Sequence, residues 1–308
     1  MRTKPRIAYV GVGLMGAPMA ARLLERDYAV AIHDVARERM KPLAAQGARL
    51  AKSAADAARE ADLVLLNLPT TDAVERAVFG RHGVSGAAHP RQIVVDFGTT
   101  EAARTREFAA RLRDQSGAAW IDAPVSGGPP ASAAGTLTVM AGGSEADVKR
   151  LRTFMRDVSG RFTHMGPVGA GQVAKMVNQL IVGCGFTVLA EALKLAEHSG
   201  IDAGKLPDCL AGGYADSAML QRVFSRLLKR EFLPPTGYAR QMLKDLEMVQ
   251  SLARDTHTPT PMGALATNLY RMIVNLGGSE YDTACVLALF DPPGAIQRKR
   301  RTPRKAPG

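Results

Sequence analysis

The stretch IAYVGVGLMGAPMAARLLERDYAVAIHD, residues 7–34, decides the fold. Ile7 to Val10 is a short apolar run, the pattern of a strand buried on both faces. Gly11-Val12-Gly13-Leu14-Met15-Gly16 follows at once, and from Ala17 to Arg26 the apolar Met19, Leu23 and Leu24 fit a helix. Tyr28 to His33 predicts a second strand, which ends at Asp34. A GxGxxG turn alone is a weak signal. Between a strand and a helix, with an acid about 20 residues further on, it is a dinucleotide fingerprint. Gly11 permits the tight turn, Gly13 lets the backbone approach a pyrophosphate, and Gly16 lets helix and strand pack closely. The helix N-terminus supplies donors for the phosphates. Asp34 lies 18 residues beyond Gly16, where a carboxylate accepts ribose hydroxyls and repels a 2′-phosphate. That favours NAD; Arg37 and Arg39 could pair with a phosphate and keep NADP open.

Working outward, the alternation of strand and helix continues. Leu63 to Leu68, Ile93 to Phe97, Ala119 to Ala123, Leu137 to Ala141 and Arg161 to His164 read as strands, with helices over Glu101–Gln115 and Glu145–Val158. Ligands of such sheets sit beyond the C-terminal strand ends, and Pro69, Thr99 and Ser126 each occupy one. Ser126-Gly127-Gly128 is a candidate anion nest, with unobstructed N–H groups and a hydroxyl donor, although spacing alone slightly favours a plain turn.

The second decisive stretch is GAGQVAKMVNQLIVGCGFTVLAEALKLAEHSG, residues 169–200. A helix from Gln172 to His198 would span about 40 Å. Leu180 to Ala190 carries no charge, which predicts a helix buried all round. The uncharged stretch between Lys175 and Glu191 is shorter than the roughly 20 residues a bilayer needs, so a core helix is expected and no membrane. Gln172, Lys175, Asn178 and Gln179 form a polar stripe on one face. A lysine held where it is desolvated can serve as a general acid–base group; a solvated first turn with a surface lysine is the bland alternative. Beyond it, Leu206–Leu210, Met219–Lys229, Ala239–Arg254, Met262–Asn275 and Thr283–Leu289 all suit helices. Within one of them, Lys244 and Asp245 read alone as a solvated face.

The 308 residues suit about two domains. Cys184, Cys209 and Cys285 form no CxxC pair, and the six histidines are scattered, so neither a disulfide framework nor a metal cluster is expected. Ile7 to Val10 is too short for a secretory h-region, and a cytoplasmic location is expected. The net charge of +11 invites thoughts of nucleic acid. Six of the positive charges, however, lie between Arg298 and Lys305. Without them 34 basic residues face 29 acidic ones and the charge is +5. The tail has no apolar periodicity and is expected to be disordered.

With these pieces placed, the chain resembles the β-hydroxyacid dehydrogenases, the family of 3-hydroxyisobutyrate dehydrogenase and tartronate semialdehyde reductase. Four blocks carry the resemblance: GVGLMGAPMAARL at 11–23, DAPVSGG with AGTLTVMAGG at 122–143, GAGQVAKMVNQ at 169–179, and LKDL at 243–246. It implies an α/β, Rossmann-like parallel-sheet N-terminal domain (1–166), and an all-helical C-terminal domain (167–294) joined through a long interdomain helix; a basic tail (295–308) follows. By the resemblance Lys175 is catalytic, and Asn178 and Gln179 orient substrate. Ser126, Gly127 and Gly128 hold its carboxylate. Leu68, Pro69, Thr99 and Lys244 line the nicotinamide cofactor beside the Gly11–Gly16 loop and Asp34, with Asp245 near the active site. The implied partners are a small anionic hydroxy acid, NAD or NADP, and a second copy or copies in a homodimer or homotetramer. Three positions depart from the family's pattern: Ala131-Ser132, Gln179, and Tyr238, which is one residue out of step.

An imine reductase shares the architecture but usually replaces the lysine, so Lys175 argues against it. A 6-phosphogluconate dehydrogenase generally has a longer helical domain. A non-enzymatic, nucleic-acid-associated member of the same fold would lose the lysine; only the basic tail favours it.

Overall fold

A computed structural model describes residues 4–291; the basic tail, with its expected disorder, lies outside the described residues. The chain divides into two compact units at Val177/Asn178.

In the first unit the described strands are β1 (Ile7–Val10), β2 (Val30–His33), β3 (Arg49–Leu50), β4 (Leu63–Leu66), β5 (Ile93–Asp96), β6 (Ala119–Asp122), β7 (Val125–Ser126), β8 (Leu137–Gly142) and β9 (Ser159–Gly166). They form one sheet in the order β3-β2-β1-β4-β5-β6-β8-β7, with β9 paired to β8. From β3 to β6 every pairing is parallel. The edge beyond β6 adds antiparallel pairings of β8 with β6 and β7. The unbroken apolar runs now have their physical reason: successive residues of a strand point to opposite faces, and both faces are covered. Ile7, Tyr9, Leu65, Val95 and Ile121 enter one core. Ala8, Val10, Val64, Leu66, Val94 and Trp120 enter the other. Two strands escape the sequence reading, β3 and β7, because two residues are too few for a period to register. The expected strand over Tyr28–His33 begins only at Val30.

The second unit is helical. The long helix, Ala170–His198, begins before the Val177/Asn178 division and runs on into this unit, where Leu206–Leu210, Ala218–Leu228, Ala239–Asp255 and Pro261–Asn275 follow. Thr283–Leu289, expected as a helix, is a tighter 3-10 run with Thr283 to Leu287 buried. Among the described residues after Asn178, strand pairing is limited to one bridge, Tyr238 with Asp282. Leu193, Leu220, Phe224, Leu227, Tyr270, Ile273 and Leu287 form the core.

One expectation is corrected. The long helix is not buried all round: Ile181 is 67% exposed, Val188 49% and Leu195 71%. These three stand seven apart and share a face, whereas Ala190, Leu193 and Ala196 on another face are buried. Absence of charge marked the apolar composition correctly but could not say which apolar face this chain alone covers. By length and composition the helix could cross a membrane. Its Gln172, Lys175 and Gln179, though, are buried against protein.

Candidate active site

The glycine loop leaves β1 with Gly11 at φ +93°, where a side chain's first carbon would lie 2.4 Å from the carbonyl oxygen of Asn67. Only glycine fits. Gly16 is as constrained, since a carbon there would meet the Gly11 carbonyl oxygen at 2.0 Å. Above Gly13 the surroundings are open: a carbon would meet only Arg39 Nη1, at 3.8 Å. The helix Gly16–Glu25 that follows has no side-chain cap at Met15. Pro18 in its first turn has no N–H and the Ala17 N–H goes to the Gly13 carbonyl at 2.9 Å, so what this helix start offers an anion is its dipole and the N–H groups of the glycine loop before it. Asp34, buried at the end of β2, accepts the Val12 N–H at 2.9 Å and the Ala36 N–H at 2.8 Å, with Arg39 4.0 Å away. Gly11, Val12, Gly13, Leu14, Met15, Gly16 and Asp34 thus form one cradle. An open approach over Gly13, the positive end of the helix that follows and a carboxylate at the adjoining strand end fit a dinucleotide.

The next strand ends lie beside it. Leu68 packs over Gly11 and Gly98, while Thr70 caps the helix Thr71–Phe79 just after Pro69. Beyond β5, Asp96 accepts the Gly98 N–H at 2.9 Å and the Thr100 hydroxyl at 2.7 Å, on either side of Thr99. Gln172 reaches the same two residues, accepting the Thr100 N–H at 3.1 Å and donating to the Gly98 carbonyl at 3.0 Å.

At the end of β6, Asp122 accepts the N–H groups of Gly169 at 2.7 Å and Gln172 at 2.9 Å. It caps the long helix from a different element. Burial pushes its carboxyl above the usual range, and the bonds from Gly169, Gln172 and Gly171 oppose that shift. Ser126 is in β7, opposite Thr138. Gly127 and Gly128 have φ of +130° and +70° and turn the chain into the helix Gly128–Ala134. So the Ser-Gly-Gly segment is a strand-to-helix junction. Lys175, 8% exposed, donates from Nζ to the Val125 carbonyl at 2.8 Å. The solvated-lysine reading is excluded by that burial. Ser132, one of the departures from the family pattern, is buried and donates to the carbonyl of Met15 in the glycine loop at 2.9 Å.

In the second unit a polar relay centres on the buried Gln179 and Asp245. Asn178 Nδ2 donates to Gln179 Oε1 at 2.8 Å, and Gln179 Nε2 donates to Asp245 Oδ2 at 2.6 Å. Lys244 Nζ stands 3.1 Å from Asp245 Oδ1. The reading of Lys244 and Asp245 as a solvated face is thus corrected, because Asp245 is 6% exposed and holds Gln179. Asp245 Oδ2 takes the Gln179 amide nitrogen, which leaves the amide oxygen for Asn178.

Sequence reasoning named Lys175, Ser126, Thr99 and Asp34 but passed over Asp96, Asp122 and Ser132, and it gave Gln172 no role of its own. A signal existed for two of them. Asp96 and Asp122 each close an uninterrupted apolar strand, a place where an acid has to find backbone donors; they are register partners in β5 and β6.

A doubly wound sheet with this cradle, followed by a helical unit, defines a nicotinamide-dependent oxidoreductase. Residues 6–166 match the family model described as the NAD binding domain of 6-phosphogluconate dehydrogenase. Residues 169–290 match that of the NAD-binding region of NADP-dependent 3-hydroxyisobutyrate dehydrogenase. The chain is 35% identical over 298 residues to an NAD-dependent L-serine dehydrogenase of Pseudomonas aeruginosa, covering 93% of this chain and 98% of that one. It is 32% identical over 288 residues to the 2-hydroxy-3-oxopropionate reductase of Escherichia coli, covering 92% and 97%. The solved structure of Mycobacterium tuberculosis 3-hydroxyisobutyrate dehydrogenase with L-serine superposes with a TM-score of 0.83 at 30% identity, covering 94% of this chain and 99% of that one. The chain belongs to the β-hydroxyacid dehydrogenase family. It is an NAD(P)-dependent enzyme acting on CH–OH, moving a hydride between a small hydroxy acid and the cofactor.

Proposed function

We propose that the substrate is a small 3-hydroxy acid, a carboxylate whose α-carbon carries a CH2OH group, or the matching semialdehyde. Serine and 3-hydroxyisobutyrate, named by the relatives, share that skeleton. 2-Hydroxy-3-oxopropionate is the semialdehyde form of the same pattern. Lys175 is the proton-transfer group; its burial three residues from Gln172, on the face tied to the Thr99 loop, is the observation that carries this reading. Ser126, Gly127 and Gly128 hold the carboxylate, and Asn178 and Gln179 orient the substrate. The Gly11–Gly16 loop, Asp34, Leu68, Pro69, Thr99 and Lys244 bind the cofactor, which supplies or accepts the hydride. As the alcohol is oxidised, Lys175 takes the hydroxyl proton, and in the reverse direction it returns it. NAD is preferred, because Asp34 faces the place of a 2′-phosphate with a negative charge.

We assign residues 1–166 to dinucleotide binding and 167–294 to the helical domain. The enzyme acts as a homodimer or homotetramer in the cytoplasm. Exposed Ile181, Val188 and Leu195 on one helix, and Met262, Leu265 and Met272 on another with Leu276 just past its end, support self-association, since apolar faces of this kind are normally covered. Nucleotide absorbance measured against L-serine, 3-hydroxyisobutyrate, glycerate and their semialdehydes tests the proposal. Turnover of an imine, with none of the acids oxidised and no semialdehyde reduced, would overturn it.

A further inference from the structure

Gln172 is fully buried and lies three residues before Lys175 on the long helix, hence on the same face. Its amide uses both ends at once. Oε1 accepts from Thr100 N–H and Nε2 donates to the Gly98 carbonyl, so the two bonds straddle Thr99. The side chain pairs with this loop much as a neighbouring strand would. Its own backbone N–H goes to Asp122 at the end of β6, while Asp96 at the end of β5 grips Gly98 and Thr100 from the other side. One residue therefore ties two strand ends to the first turn of the lysine helix. Lys175 reaches the chain just past β6, at Val125.

We propose that Gln172 is a positioning residue that sets Thr99 and Lys175 at a fixed separation through its two-ended amide; this rests on the reading of Thr99 as a cofactor contact and Lys175 as the proton-transfer group. Transfer of hydride and proton from one alcohol demands that both acceptors be aligned together. A misplacement of about 1 Å can cost on the order of 100-fold in rate. The position needs a donor and an acceptor at opposite ends of one planar group, which among side chains of this length only an amide provides. A methionine supplies neither. A carboxylate keeps the acceptor for Thr100 but sets a second oxygen against the Gly98 carbonyl.

The test uses the full chain with Gln172→Met and Gln172→Glu. In the cofactor-free protein, hydrogen exchange of the 97–101 segment should speed up at least tenfold in Gln172→Met, while segments in β1 and β4 stay protected. With the best acid of the panel, kcat should fall about 10- to 100-fold with KM changed less than about threefold. In Gln172→Glu the introduced carboxyl is buried near Asp96 and Asp122, which raise its proton affinity, with Lys175 one turn away acting in the opposite sense. Once protonated it can donate to Gly98, so kcat relative to wild type should recover as pH falls. A purely structural role would lower the melting temperature and leave exchange at 97–101, kcat and this pH recovery unchanged; that result overturns the proposal. Should Lys175→Ala keep turnover while Gln172→Met loses it, the acid–base assignment falls and the positioning of Thr99 stands.

Discussion

Lys175 Nζ donates to the backbone carbonyl of Val125 at 2.8 Å, one residue before Ser126. That bond joins the candidate proton-transfer group to the strand carrying the candidate carboxylate site. A lysine so held is aimed rather than mobile. Lys175→Ala should lose about 10²- to 10⁴-fold in turnover, the range general acid–base catalysis supplies. Binding of NAD, followed by quenching of protein fluorescence, should persist. Turnover near wild type in this variant would sink the assignment.

Asp34 accepts the Val12 N–H and has Arg39 4.0 Å away. Replacing it by serine removes the charge that repels a 2′-phosphate and releases Arg39 to meet one. Asp34→Ser should move the ratio of kcat/KM values toward NADP by at least tenfold. A wild-type enzyme that already prefers NADP would show that the arginines, not the acid, set the choice.

The sheet and the long helix were legible in the sequence because their signals are long: a four-residue apolar strand, a glycine turn, and 29 helical residues without proline. The lysine was legible through its spacing to Gln172, Asn178 and Gln179. What stayed hidden depends on partners far along the chain. Asp122 caps a helix 47 residues away, and Gln179 meets Asp245 across 66. Nothing local distinguishes Asp245 from a surface acid; only packing reveals that it is buried. Ser132 looked like a departure from the family pattern, and its hydroxyl turns out to hold Met15 of the glycine loop.

That bond has a measurable consequence. Ser132→Ala removes the donor and leaves the half-buried Met15 carbonyl with one partner fewer, a loss of about 1 kcal/mol if nothing replaces it. The glycine loop is pre-shaped by this contact, so cofactor affinity should weaken severalfold while kcat at saturating NAD changes less than twofold. Titration calorimetry reading an unchanged Kd would show that the loop holds its shape without Ser132.

Lys194 lies between Glu197, at 2.8 Å, and Asp291, at 3.1 Å. The bond from Lys194, more than those from Arg230, holds the Glu197 carboxyl below its usual 4.5. A depressed carboxyl stabilises the fold above its unfolded value and loses that contribution as pH falls through the folded one. Lys194→Met should thus lower Tm at pH 7 by about 2–4 °C, the effect of roughly 1 kcal/mol. The deficit should shrink below about pH 4, where the wild type loses the same interaction. A deficit that stayed constant from pH 7 to pH 3 would mean that the loss comes from packing of the lysine stem.

The carboxylate site yields the last prediction. Ser126 sits in a strand paired to Thr138, and the two glycines after it take positive φ values, a region that favours glycine. The pairing to Thr138 holds Ser126 in the sheet, and the turn at the two glycines sets the direction of the N–H groups that follow. Donors directed in this way discriminate strongly, since an uncharged analogue leaves them unpaired at about 1–3 kcal/mol, or roughly 5- to 150-fold. A hydroxy acid should accordingly exceed its own amide in kcat/KM by that factor, and simple alcohols should be poorer still. Ser126→Ala should raise KM for the acid more than it lowers kcat, because the hydroxyl binds the carboxylate equally before and during hydride transfer. Equal efficiency on an acid and its amide would show that this junction does not hold the carboxylate, and would move the search for its binder to Asn178 and Lys244.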